Sequence, residues 1–264
     1  MTAPVVSVIT VNRDMAQGLA ATLDSVLAQD YPNFEAIVID GGSRDGSLKV
    51  IAARAGRLAY WISEPDRSLY DAMNKGVSAA KGQWVLFMNA GDCFAAPDVL
   101  SRVFALAHEG ADIIYGDHLR HYPGLGVERL VPAEGVEVLP RRMPCSHQSL
   151  FMRRQLLLAH PFDTALLAAD YEALVGAFAQ GRRFERIDCL IARTEMGGRS
   201  DTRRLASLGE RQAILRRHGL MTPRLAWFYR WLMLRALLAG AAKAVLPRAA
   251  IVRILRHRPL KSLE

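Results

Sequence analysis

Apolar and polar positions alternate in a regular way over the first ninety residues. Short runs rich in β-branched and aromatic residues predict buried strands, and the longer stretches between them predict helices. The predicted strands are Val5–Val11, Phe34–Ile39, Leu58–Ser63 and Gln83–Met88, and the predicted helices are Ala16–Ala28, Ser47–Ala55 and Leu69–Ala80. Strands that alternate with helices predict an α/β fold, in which helices flank both faces of a mostly parallel sheet.

The pattern changes in the second half of the chain. Ile113–Tyr115 and Met143–Met152 are predicted strands. The stretch Tyr122–Pro140 between them is rich in Gly and Pro and is predicted to form a hairpin or a long loop. A helix is expected to begin near Asp170, and the residues after about Thr202 are expected to be mainly helical.

The composition is that of a folded protein with a large core. The chain has 264 residues, of which 51% are hydrophobic. Its three cysteines are far apart in the sequence, which argues against a disulfide framework and against a zinc site. The first residues lack the pattern of a signal peptide. We therefore expect a cytoplasmic protein with one domain over residues 1–202 and a basic helical tail over residues 203–264.

Polar residues follow three of the predicted strands, at Asn12, Asp40 and Asn89–Asp92. Because ligands of open α/β sheets bind at the carboxyl ends of the strands, we expect a binding site there. Glycines in the loop Asp40–Ser47 would let a ligand approach the backbone closely. Alternatively, this loop is a polar turn in which Asp45 caps the following helix. It is not a G-x-G-x-x-G loop, which disfavours a nicotinamide dinucleotide.

Four segments, in this order, resemble family 2 glycosyltransferases. They are Val8–Asn12 (VITVN), Val38–Ser47 (VIDGGSRDGS), Ser63–Gly76 (SEPDRSLYDAMNKG) and Ala80–Asp92 (AKGQWVLFMNAGD). The ordered set is similar above all to members from bacterial exopolysaccharide, O-antigen and colanic-acid clusters, and the resemblance extends from residue 5 to about 202. It implies a GT-A fold, Rossmann-like, with a nucleotide-binding part over residues 1–117 and an acceptor part over residues 118–202.

The resemblance also implies roles for residues at matching positions. Six residues would line the pocket for the nucleotide-sugar donor: Thr10, Asn12, Asp40, Arg67, Asn74 and Lys75. Asp40 would contact the nucleobase. The neighbouring positions Tyr70, Met73 and Val77 have helical spacing and are expected to form only a buried helix face.

The expected metal site departs from the family pattern. The family usually has Asp-x-Asp or Asp-x-Asp-Asp after the Phe-containing strand, whereas this chain has Asn89-Ala90-Gly91-Asp92. The resemblance implies a divalent cation, Mn²⁺ or Mg²⁺, held weakly by Asp92 with Asn89 as a neutral oxygen ligand. An ordinary turn is the alternative.

The resemblance places the general base at Asp170, where a carboxylate would accept the proton of the acceptor hydroxyl. The acid that precedes it in the family is replaced by Ala169, and Asp170 as a helix N-cap is the alternative. A single base without a nucleophile favours inversion at the anomeric carbon. His147 and Gln148 are candidates for binding acceptor or diphosphate oxygens, although a buried structural histidine is an equal alternative.

The tail over residues 203–264 is strongly basic, with 14 Lys/Arg and 2 Asp/Glu. Pro223–Leu246 mixes tryptophans, leucines and arginines, and its uncharged runs are too short for a membrane span. This mixture favours binding to anionic lipid at the inner face of the cytoplasmic membrane. A helical hairpin packed on the enzyme or on a partner is the alternative, and nucleic acid is not the expected partner.

Together these features predict an inverting glycosyltransferase that moves a sugar from a nucleotide-diphosphate donor to a lipid-linked or polysaccharide acceptor. Two other classes remain open: a nucleotidyltransferase of similar fold, and a catalytically weak protein that binds a sugar nucleotide or a lipid.

Overall fold

The computed structural model describes residues 5–122, 127–195 and 204–245. The strands are β1 Val6–Asn12, β2 Phe34–Asp40, β3 Tyr60–Ser63, β4 Trp84–Phe87, β5 Cys93–Phe94, β6 Ile113–Tyr122, β7 Val127–Val131, β8 Leu150–Arg153 and β9 Phe184–Glu195. The helices are α1 Ala16–Leu27, α2 Ser47–Ala52, α3 Leu69–Ala79, α4 Val99–Leu106, α5 Arg154–Ala159, α6 Ala169–Ala179, α7 Arg204–Arg217 and α8 Pro223–Val245.

Within these residues the strands form one sheet in the order β3-β2-β1-β4-β8-β6-β9-β5, and β7 pairs with β6 as a hairpin. The first four are mutually parallel, as the alternation of strands and helices predicts. β8 runs antiparallel to both β4 and β6, and β6 is parallel to β9. The predicted α/β fold is therefore confirmed.

The register of the parallel strands positions the polar residues that follow them. Asn12 lies opposite Asp40, and Asp40 lies opposite Ser63. The amide of Ala90 donates to the carbonyl of Val11 at 3.1 Å, so the chain after β4 continues the same edge. The carboxyl ends of four strands thus form one continuous row.

Every residue of β1 is buried, and its side chains alternate between two apolar cores. Ile9 points to the core that contains α3 and α6, whereas Val6 and Val8 point to the core that contains α4. The predicted buried face of α3 is confirmed, since Tyr70, Met73 and Val77 all lie in the first core.

One predicted strand is wrong over most of its length. Met143–Met152 was expected to be extended, but the strand begins only at Leu150 and is preceded by a 3-10 turn, His147–Ser149. The amide of Ser149 donates to the carbonyl of Ser146 at 3.0 Å, which closes the chain on itself where a strand would bond to a neighbour.

The basic tail packs on the body as far as the structure describes it. Ile214 and Leu215 of α7 and Tyr229 of α8 have no exposed surface and belong to the first core. The predicted boundary at residue 202 lies outside the described residues. No helix of the described chain is long and apolar enough to cross a membrane.

Candidate active site

Asp40 ends β2 and is fully buried, with hydrogen bonds to both of its carboxylate oxygens. Asn12 Nδ2 donates to Oδ1 at 2.7 Å, and Ser43 Oγ donates to the same oxygen at 2.5 Å. Oδ2 accepts from Ser63 Oγ at 2.6 Å and from the Ser43 amide at 2.9 Å. Burial alone would raise the pKa of Asp40, but these hydrogen bonds outweigh it and hold the pKa below its usual value.

This geometry makes Asp40 the residue that fixes the loop after β2. Contact between its carboxylate and a nucleobase stays a prediction, because such a contact requires one of these four bonds to be exchanged. Thr10, expected in the same pocket, is buried within β1, two residues before the edge.

The loop that follows Asp40 is held at both ends. Gly42 and Gly46 have positive φ, which glycine adopts without strain. Asp45 Oδ1 accepts from Ser47 Oγ at 2.6 Å, and Asp45 Oδ2 accepts from the Ala16 amide at 2.7 Å. Gly46 is the N-cap of α2. The Ser47 amide also donates to Asp45 Oδ1 at 3.1 Å, so the Asp45 side chain caps the start of α2 from the position before Gly46, as the alternative interpretation expects, and it also ties the loop to α1.

Lys75 lies in an acidic cluster beside this loop. Its Nζ is 2.6 Å from Asp66 Oδ1 and 2.7 Å from Glu64 Oε1. A Cβ on Gly41 would be 3.0 Å from Asp66 Oδ2, so Asp66 borders the loop after β2. The sequence prediction omitted Asp66, whose only signal was its place next to Arg67 in the third of the four family-like segments.

The other two residues predicted to bind the nucleotide-sugar donor, Arg67 and Asn74, differ in how free their side chains are to contact it. Arg67 pairs with Asp71 at 2.8 Å, and its side chain remains largely exposed. Asn74 uses both ends of its amide on the backbone of Phe162, donating to the carbonyl at 2.9 Å and accepting from the amide at 3.0 Å. In this structure Asn74 therefore joins α3 to the segment before α6, which leaves its predicted contact with a donor without geometric support.

Asp92 lies in the connection between β4 and β5, next to the end of β9. Gln148 Nε2 donates to Asp92 Oδ2 at 2.5 Å, and the Glu195 amide donates to Oδ1 at 3.1 Å. Burial raises the pKa of Asp92 in spite of these bonds. Gln148 was predicted to bind a ligand, and here it positions the metal candidate. Glu195 is brought there by the pairing of β5 with β9.

Asn89 offers an oxygen without a partner. Its Nδ2 is 2.9 Å from His147 Nε2, whereas its Oδ1 is buried and makes no hydrogen bond. Among the described residues no group of three His, Cys, Asp or Glu could hold a metal. The oxygens of Asn89 and Asp92 nevertheless fit a cation that takes its other ligands from a diphosphate and water, which is how Mg²⁺ is commonly held at phosphate sites.

Asp170 is the second residue of α6, and its two oxygens have different surroundings. Oδ1 accepts from Tyr70 Oη at 2.8 Å and from the Tyr171 amide at 2.9 Å. Oδ2 is 3.6 Å from His147 Nδ1. The N-cap of α6 is Ala168, so the alternative of Asp170 as the N-cap is wrong.

His147 joins the two halves of the site. One ring nitrogen contacts Asn89 and the other faces Asp170, so a single side chain links the metal candidates to the base candidate. The ring is about one quarter exposed, unlike a buried structural histidine. A second histidine, His118, was not selected from the sequence. Burial, followed by the charges of Arg120 and His147, lowers the pKa of His118 to about 4, so it is neutral at pH 7.

Solved structures of other proteins have a similar fold. A mannosyltransferase from Pyrobaculum calidifontis, solved with GDP-Man and Mn²⁺, superposes with a TM-score of 0.65 at 18% identity and covers 97% of this chain and 80% of that one. Residues 1–349 of Staphylococcus aureus TarS, solved with UDP, give a TM-score of 0.64 at 19% identity and cover 83% of this chain and 66% of that one. The fold is that of the GT-A glycosyltransferases.

Sequence comparison gives the family. The model "Glycosyl transferase family 2" matches residues 5–169. A PGL/p-HBAD biosynthesis glycosyltransferase of Mycobacterium bovis is 32% identical over 211 residues, which cover 76% of this chain and 81% of the relative. The chain belongs to glycosyl transferase family 2, and it is a glycosyltransferase.

Proposed function

We propose that this chain transfers a sugar from a nucleotide-diphosphate donor to a hydroxyl acceptor with inversion at the anomeric carbon. The observation that carries the proposal is the unbroken series of contacts from Asn89 through His147 to Asp170. It brings a base candidate to the same edge of the sheet as the oxygens that fit a diphosphate-bound cation.

The donor is assigned to the carboxyl edge of β1, β2 and β4. Support comes from the folded loop after Asp40, from the two positive-φ glycines in it, and from the neighbours solved with UDP and with GDP-Man. Asn89 and Asp92 would hold a divalent cation together with the diphosphate. Such a cation would neutralise the negative charge that develops on the leaving group.

Asp170 acts as the base in this proposal. Its Oδ1 already accepts two hydrogen bonds, so Oδ2 is the oxygen that remains for a substrate proton. Oδ2 accepts the proton of the acceptor hydroxyl as the acceptor oxygen bonds to the anomeric carbon and the bond from that carbon to the diphosphate breaks. A single displacement of this kind inverts the anomeric configuration. His147 Nδ1 lies 3.6 Å from Oδ2, beside the oxygen that takes the proton.

The acceptor is proposed to be lipid-linked or part of a polysaccharide. The side of the site next to His147 and Asp170 is apolar, with Met73, Phe87, Met143, Leu150 and Phe162 in its wall. The pocket has room for only about 20 Å³, so an acceptor would lie over its mouth, beside apolar side chains, and not inside it.

Donor binding is tested first, with UDP, GDP and dTDP and their common hexose conjugates, each with and without MnCl₂. A tenfold excess of ligand over its Kd should raise the free energy of unfolding by about 1.4 kcal/mol, which a thermal shift detects. We expect one nucleotide to stabilise the protein and Mn²⁺ to add stability only when a diphosphate is present. If no nucleotide shifts the melting temperature, the proposal fails at its first step.

The base is tested with Asp170→Asn, which keeps the shape of the side chain and removes its basicity. We expect donor-dependent stabilisation to persist and turnover of the selected donor, by transfer or by hydrolysis, to fall by about 10²–10⁴-fold. Asp188→Asn is the control, because Asp188 is an exposed carboxylate on β9. Equal turnover in Asp170→Asn and wild type would show that Asp170 is not the base.

A further inference from the structure

Helix α8 packs on the protein through one of its faces. Leu225 and Tyr229 are buried, and Leu232, Met233 and Ala236 pack against the same core. Tyr229 Oη donates to the carbonyl of Pro140 at 3.1 Å. These positions recur every three or four residues, so they lie on a single side of the helix.

The opposite face is also apolar, and it is exposed. Trp227 is 70% exposed, Trp231 46%, Leu234 56% and Leu237 56%. Their spacing of four and three residues places them in one stripe. A contiguous exposed stripe of large apolar residues marks an interaction surface. We call these four residues the outer stripe of α8.

Positive charge surrounds the outer stripe. Arg224 and Arg230 are both exposed and stand on its two flanks. Residues 204–245 contain eight Lys/Arg and one acid, Glu210, which bonds to backbone amides of the body. A partner that covers the stripe therefore meets a positive rim.

We propose that the outer stripe of α8 binds the surface of an anionic membrane, with the two tryptophans in the interfacial layer and the flanking arginines on lipid phosphates. Tryptophan and arginine are the residues that suit this layer. The helix would lie on the membrane, because no described helix can span it. The proposal concerns where the chain binds and does not depend on the transfer reaction.

Charge distinguishes a membrane from the other occupants of the stripe. Residues 246–264 contain five Lys/Arg and one acid, so they share the sign of the rim and do not complement it. A second copy of the chain would present the same positive rim. An anionic surface complements both the rim and residues 246–264.

The test is co-sedimentation of the full chain with vesicles, without donor or acceptor. Vesicles of phosphatidylcholine alone are compared with vesicles that contain three parts in ten of phosphatidylglycerol. We expect binding to the anionic vesicles, and a loss of at least about tenfold in Trp227→Ser/Trp231→Ser. Arg224→Gln/Arg230→Gln should lose about thirtyfold, since each arginine near an anionic surface contributes roughly fivefold.

Trp61→Ser is the matched control, because Trp61 on β3 is 41% exposed and lies outside α8. We expect this variant to bind vesicles like wild type. Equal binding by Trp227→Ser/Trp231→Ser and wild type overturns the proposal, and so does equal binding to the two kinds of vesicle. A wild-type dimer that light scattering finds monomeric in Trp227→Ser/Trp231→Ser would assign the stripe to a second copy instead.

Discussion

Tyr70→Phe removes one oxygen atom from the site and leaves the ring in place. The Tyr70 hydroxyl donates to Asp170 Oδ1 at 2.8 Å and lies 3.2 Å from the Leu167 carbonyl. Burial, followed by the negative charge of Asp170, raises the pKa of Tyr70 far above its usual value. The hydroxyl therefore stays protonated at every working pH and donates a hydrogen bond to the carboxylate.

The magnitude follows from the kind of bond. A hydrogen bond to a charged group contributes about 1.5–3 kcal/mol. If the whole free energy of this hydrogen bond serves to hold Asp170 in position, turnover falls by about 10–150-fold, at 1.36 kcal/mol for each factor of ten.

The assay is steady-state turnover of the selected donor, with kcat and KM determined separately. We expect kcat to fall and the KM for the donor to stay unchanged, because Tyr70 contacts the proposed base, Asp170, and not the nucleotide edge. Tyr115→Phe is the control: Tyr115 is equally buried and donates to the Glu134 carbonyl at 3.0 Å. Should Tyr70→Phe keep the kcat of wild type, Tyr70 is only a core residue.

Two further predictions concern stability. A Cβ on Gly76 of α3 would overlap Ile9 Cγ2 in the core, so Gly76→Ala should lower the free energy of unfolding by roughly 1–2 kcal/mol in urea melts. Gly209→Ala in α7 is the control: its Cβ would meet only Met233 Cε at 4.0 Å, so this variant should raise the free energy of unfolding by up to about 1 kcal/mol. Equal effects of the two substitutions would contradict the packing argument. Asp40→Asn should cost about 2–3 kcal/mol at pH 7, because a neutral amide replaces a carboxylate that accepts four hydrogen bonds. The pKa of Asp40 is lower in the folded protein, so the stabilisation by its charge is present above the unfolded pKa of about 3.9 and is lost as the pH falls through the folded pKa. The difference in free energy of unfolding between Asp40→Asn and wild type should therefore narrow below about pH 4. A difference that stays constant with pH would show that the charge of the carboxylate is not its cause.

Hydrophobic periodicity predicted the first half of the fold because β1 and β4 are buried on both faces, and β2 is buried over most of its length. A run such as VSVITVN has few alternatives when parallel strands surround it. The apolar runs of β1 and β2 end at Asn12 and Asp40, and parallel neighbouring strands end at the same edge of a sheet, so these two polar residues could be assigned to one edge.

Side-chain orientation within the motifs could not be predicted. Asn74 and Lys75 are neighbours in the sequence, yet one bonds to the Phe162 backbone and the other to Asp66 and Glu64. Those partners lie outside α3, and the pattern of α3 holds no information about them. For Tyr70 the sequence predicted burial correctly, but it did not predict the hydrogen bond from its hydroxyl to Asp170.

Helix α8 explains why the tail was difficult to interpret from its sequence. A periodic pattern reports one apolar face, whereas α8 has an apolar face on the core and another in solvent. Apolar positions are therefore spread around the helix, and the arginines occupy what remains. The sequence of α8 shows no single apolar stripe because the helix has two, one on the core and one in solvent.

The tail also contributes to the site itself. The Glu210 carboxylate of α7 accepts from the amides of Leu167 and Ala168 at 2.8–3.0 Å, just before the helix that carries Asp170. A negative charge at a helix N-terminus is stabilising, so α7 fixes the start of α6. Deleting residues 203–264 would remove this support together with the buried side chains of Ile214, Leu215 and Tyr229. Such a truncation would disturb the site and the proposed membrane surface at once, and for that reason point substitutions on the exposed face of α8 are the experiment that separates the two.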